Sequence, residues 1–107
     1  MGNPIPTRVR AVVRERDAGH CLRCGAGGDL EVHHRRRRGV RDGREHGYEN
    51  CLSLCFTCHC WVHAHPLEAR QAGFIVSMHE ADVEMVVLAS FMGPVILEVD
   101  GGIRWAQ

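Results

Sequence analysis

Two thiol pairs, Cys21-x-x-Cys24 and Cys55-x-x-Cys58, stand thirty residues apart in the chain. Two such knuckles supply four soft ligands in a tetrahedral arrangement, the usual form of a structural zinc site. A thioredoxin-like use of either pair is disfavoured, because no strand–helix–strand pattern surrounds them. The remaining thiols, Cys51 and Cys60, read as small buried side chains.

A histidine cluster follows the second knuckle directly, in CHCWVHAH. His59 and His63 are four residues apart, which puts both imidazoles on one face of a helix, suited to a shared ion. His65 falls off that face, and Trp61 and Val62 point toward a core. A second pair, His33 and His34, opens the stretch VHHRRRRGVRDGREHGYEN. Neighbours on a strand point to opposite sides, so one of the two can face the helical pair and the other cannot. A neutral imidazole outside the metal is well suited to accept a proton near neutral pH. On spacing alone three readings stay open: a catalytic metal site, a second structural zinc, or surface histidines. Arg35, Arg36, Arg37, Arg38, Arg41 and Arg44 crowd the same stretch, and phosphate contact is the natural relief for charge of that density. His46, in this loop, is an extra candidate, although a loop histidine more often faces solvent.

The elements that must hold these groups are short. TRVRAVVRERDAG carries a partial apolar stripe at Val9, Val12 and Val13 and predicts a helix. CLRCGAGGD is a turn, and LEVHH alternates as a strand does. The arginine-rich stretch is a loop with three glycines. Cys58 to His65 is helical, and PLEARQAG resumes a helix with Pro66 in its first turn and Gly73 at its end. The tail from Gly73 is mostly strands, with a hairpin at the DGG of VILEVDGGIRW.

A chain of 107 residues is enough for one domain with a thin core, the size at which a metal often helps folding. No apolar run precedes the first charges, and nothing approaches a membrane span, so the expectation is a soluble intracellular chain whose thiols bind metal. Net charge is zero, yet residues 1–50 carry eleven arginines against seven acids, and residues 51–107 carry two against six. Every basic side chain other than histidine is an arginine, the residue suited to bidentate phosphate contacts.

Taken together, C-LRC-G at 21–25, LEVHH at 30–34, EN at 49–50, LSLC at 52–55 and CHCWVH at 58–63 resemble the HNH endonucleases of the small zinc-stapled kind found in bacteriophages and prophages. The resemblance covers about residues 8–65 and continues more weakly to the terminal hairpin. It implies a small α+β protein, with a ββα-metal core stapled by a four-cysteine zinc site and a C-terminal β-hairpin extension. The nuclease domain would be residues 1–72, and residues 73–107 would be an extension packed on it. It implies His34 as general base, Asn50 as the residue holding base and loop in place, and His33, His59 and His63 as ligands of one catalytic divalent ion. Cys21, Cys24, Cys55 and Cys58 match the structural zinc site. The implied activity is hydrolysis of DNA phosphodiester bonds, with His34 taking a proton from the attacking water. The implied ion is Mg, Mn, Ni or Zn. The likeness to short phage proteins also suggests the DNA-packaging (terminase) machinery as a partner, in the cytoplasm of a bacterial host cell. The alternative from another class is a zinc-stapled DNA-binding module without catalysis. The chain departs from the family pattern where Cys51 stands in place of the leucine that usually follows the Asn.

Overall fold

The computed structural model describes residues 4–36, 44–79 and 82–106 of the chain. It is a small α+β fold. Helix α1 (Thr7–Arg16) leads through the first cysteine turn to strand β1 (Glu31–His34). A 3-10 turn at Tyr48–Asn50 runs into strand β2 (Cys51–Leu54), and helices α2 (Phe56–Ala64) and α3 (Pro66–Gln71) follow. The tail forms a 3-10 turn at Val83–Met85 and strands β3 (Leu88–Ser90), β4 (Gly93–Leu97) and β5 (Ile103–Trp105). Strands β1 and β2 pair antiparallel, with His33 opposite Leu52 and His34 opposite Cys51. The tail strands make a separate antiparallel sheet in the order β3-β4-β5, with the DGG turn joining the last two. Among the described residues, no helix is long and apolar enough to cross a membrane.

Strand β2 is buried on both faces, so every backbone group along it needs a partner. Its Ser53 carbonyl accepts from the Leu22 amide at 2.9 Å, which pins the first cysteine turn to the strand. Its Ser53 amide donates to the Asp17 carboxylate at 2.9 Å. Asp17 is also paired with Arg16 at 2.7 Å, and Arg16 donates onward to the carbonyls of Tyr48 and Cys51, each at 2.7 Å. The C-terminal end of α1 is thus stitched to β2 through two buried charges of opposite sign. Val9 and Val13 pack beneath, against Cys51.

The main core joins the two halves of the chain. Leu22, Leu52, Leu54, Cys58 and Val62 pack in one cluster with Phe74, Leu88, Val95 and Leu97. Gly73 makes the turn from α3 into the tail at φ +85°, and a Cβ there would run into the Val87 carbonyl. Only glycine meets both demands. Helix α2 begins at Phe56, two residues before the position read from the sequence, because Cys55 serves as its N-cap and accepts the Cys58 amide through its sulfur.

Candidate metal centres

Cys21, Cys24, Cys55 and Cys58 converge, with one sulfur from each within 4.8 Å of the others. Cys24 and Cys55 Sγ stand 3.8 Å apart. The first knuckle is shaped by backbone hydrogen bonds from Cys21 to Ala26 and from Gly25 to Cys21, each 2.8 Å. Gly25 sits there at φ +82°, where a Cβ would meet the Phe91 ring. Burial pushes the Cys21 thiol up, but amide hydrogen bonds from the Cys55, Cys24 and Arg23 backbone outweigh it and bring it down to about 7. A thiol so placed gives up its proton readily to a metal. Arg23 adds a guanidinium 3.5 Å from Cys58 Sγ and lies over the Trp61 ring at 3.7 Å. Four convergent sulfurs fit a structural metal, zinc above all. Cys51 is buried as expected, whereas Cys60 is exposed, because it lies on the outer face of α2.

A second set gathers between β1 and α2. His33, His59 and His63 each offer a nitrogen within 4.8 Å of the others. Ring centroids are 4.9 Å apart for His59 and His63, 5.2 Å for His33 and His59, and 6.1 Å for His33 and His63. The helical spacing supplies the first pair, and the alternation of β1 turns His33 toward it. His33 is buried, His59 half-buried and His63 exposed, so the set opens to solvent on one side. His33 Nε2 lies 2.7 Å from the Phe74 carbonyl, and His59 Nδ1 lies 2.7 Å from Glu31 Oε1. Burial, opposed by the Phe74 contact, holds His33 down to about 4, so its ring is neutral at neutral pH.

The same alternation sends His34 to a different neighbour. Its Nε2 lies 3.1 Å from Nδ1 of His46, the loop histidine read from the sequence as solvent-exposed. His46 is half-buried instead, and among the described residues its buried Nε2 has no hydrogen-bond partner. Asn50 clasps the backbone on both sides of this pair. Its Oδ1 accepts from the Arg36 amide at 2.8 Å, its Nδ2 donates to the Glu45 carbonyl at 3.0 Å, and its own carbonyl takes the Arg35 amide at 2.8 Å.

The first two arginines of the run turn into the fold, where a phosphate contact was expected of them. Arg35 is 2% exposed, and its guanidinium donates to the carbonyls of Gly73, Glu49, Val83 and Val86. Three of those carbonyls lie in the tail and the fourth in the 3-10 turn before β2, so the buried Arg35 staples the two together rather than reaching phosphate. Burial lowers it to about 10, and it stays charged at neutral pH. Arg36 is buried as well. Arg44, with its side chain 40% exposed, bridges Glu49 at 2.8 Å and Glu84 at 2.6 Å. Arg37, Arg38 and Arg41 lie outside the described residues.

What sequence reasoning missed around these centres is Glu31 and the Phe74 carbonyl, while His46, an extra candidate there, is less exposed than a loop histidine was expected to be. The only signal was faint: Glu31 stands two residues before His33 on a strand, so it shares the His33 face. Against protein-family models, curated proteins and solved structures alike, the chain finds no match.

Proposed function

We propose that the protein is a zinc-stapled DNA-binding module. The observation that carries this reading is the four-cysteine cluster, which ties the turn after α1 to the start of α2 and so presents α1 on a fixed frame. Helix α1 exposes Arg8, Arg10 and Arg14, and these guanidiniums are the described cations best placed to meet phosphate. Arg10 and Arg14 sit one turn apart and line a cavity of about 280 Å³ beside β1. The test is fluorescence anisotropy of labelled duplex DNA across a salt series. Binding that weakens steeply with salt supports the reading, and salt-independent or absent binding sinks it.

A second reading goes further, to a metal-dependent DNA endonuclease of the HNH kind. It is favoured by a specific observation, the three convergent imidazoles with one side open to solvent. A purely structural site needs no open side. In this reading His33, His59 and His63 hold a divalent ion, which when bound polarises a phosphate oxygen and stabilises developing charge. His34 takes the proton from the attacking water, and Asn50 fixes the backbone from which His34 and His46 project. The assay is nicking of supercoiled plasmid with Mg, Mn, Ni or Zn against a chelator control. Metal-dependent nicking by the wild type, lost in His34→Ala and in His59→Ala, supports it. Equal nicking by His34→Ala removes the assigned base.

A further inference from the structure

Two of the three histidines in the second centre have their protons placed by the protein. A carboxylate oxygen can only accept, so the contact between Glu31 Oε1 and His59 Nδ1 at 2.7 Å puts the proton of the neutral ring on Nδ1 and leaves the Nε2 lone pair exposed. A carbonyl oxygen can only accept as well. The contact of His33 Nε2 with the Phe74 carbonyl at 2.7 Å puts that proton on Nε2 and leaves Nδ1 as the donor nitrogen. The two rings therefore use opposite nitrogens, each fixed by a partner from a different element: Glu31 from β1, and Phe74 from the turn after α3.

We infer that Glu31 is a positioning residue for the three-histidine centre, and that this centre takes a first-row transition ion of the zinc or nickel kind rather than magnesium. The inference rests on the reading that the three imidazoles hold an ion. Glu31 lies on the outer rim of β1 with its side chain 49% exposed, so it supports no core packing. Its carboxylate is engaged with His59, which leaves the centre a face of neutral nitrogens. Magnesium demands oxygen ligands in octahedral array and gains little from imidazole. Zinc and nickel bind imidazole well. Orienting partners of this kind typically contribute 10- to 100-fold in metal affinity, because the ring is held with its lone pair toward the ion and is made more basic.

The test uses the full chain with zinc already in the four-cysteine site. Binding of a second equivalent of zinc or nickel is measured by competition with a chromophoric chelator, for the wild type and for Glu31→Ala, Glu31→Gln and His59→Ala. The wild type binds the second equivalent, His59→Ala abolishes it, and millimolar magnesium does not displace it. Glu31→Ala weakens binding about 10- to 100-fold. Glu31→Gln recovers part of the loss, since its amide oxygen still accepts the Nδ1 proton. Two-bond proton–nitrogen NMR spectra with the histidine centre metal-free show His59 protonated at Nδ1 and His33 at Nε2. Unchanged affinity in Glu31→Ala, opposite tautomers, or displacement by magnesium overturns the inference while leaving the metal centre standing. A wild type that takes up no second equivalent overturns both.

Discussion

Arg35 lies one residue past the end of β1 and turns inward, away from solvent. Its planar fork serves four carbonyls at once, a task that neither lysine nor alanine can take over. Arg35→Ala should lower stability by roughly 3 kcal/mol or more, because several buried carbonyls lose their donor. Arg35→Lys should recover little of it, and chemical denaturation of the two variants checks both. His33 makes a pH prediction of definite sign. Its folded value is about 4, below the ordinary 6.5, so the unfolded chain takes the proton first. Its share of stability is whole above pH 6.5 and falls as pH drops toward 4, by on the order of 3 kcal/mol in all. With no ion at the histidine centre, the wild type should lose this increment relative to His33→Gln over that window. The glutamine can still reach the Phe74 carbonyl but does not titrate. The residue types that mark chemistry were legible in the sequence. The roles of Glu31 and His46 were not, since they come from contacts with residues 28 and 12 positions away that no local pattern encodes.

The short elements did show their pattern. The strand period in LEVHH and the helical spacing of His59 and His63 were enough to expect that one of the adjacent histidines would meet the helical pair. The hairpin around DGG was equally plain, because such a turn selects its own residues. What stayed hidden was the start of α2, set by a sulfur acting as N-cap, and the placement of the loop arginines, set by where β1 ends. The cysteine cluster lies where three elements meet, so its loss should propagate. Cys24 is exposed and packs little, which makes Cys24→Ser a clean probe of the metal itself. That variant should bind less than one zinc per chain at the cysteine site by native mass spectrometry and melt well below the wild type. A normal melt with full zinc occupancy would remove the staple. Gly73→Ala should be destabilising for a separate reason: its positive φ and the Val87 carbonyl both exclude a Cβ.

At the scale of the molecule, several of the described arginines serve the structure. Arg16 and Arg35 are buried against carbonyls, and Arg44 is held between two carboxylates. Helix α1 is left as the described basic face. If it lies along DNA, replacing Arg10 and Arg14 together by alanine should weaken binding to all sequences alike. It should also lower the slope of log affinity against log salt by about two. Anisotropy titrations at several salt concentrations read both effects, while the melting temperature should hardly move. The clasp made by Asn50 has a bearing on how this chain can vary. One side chain holds the backbone at Arg36 and at Glu45, and its own carbonyl takes the Arg35 amide, so the end of β1 and the approach to β2 hang on a single residue. Such a position leaves little room for exchange: a carboxylate keeps the acceptor but loses the donor, and an apolar side chain loses both. Drift in sequence is therefore cheap at the rim of this protein and costly at this one amide.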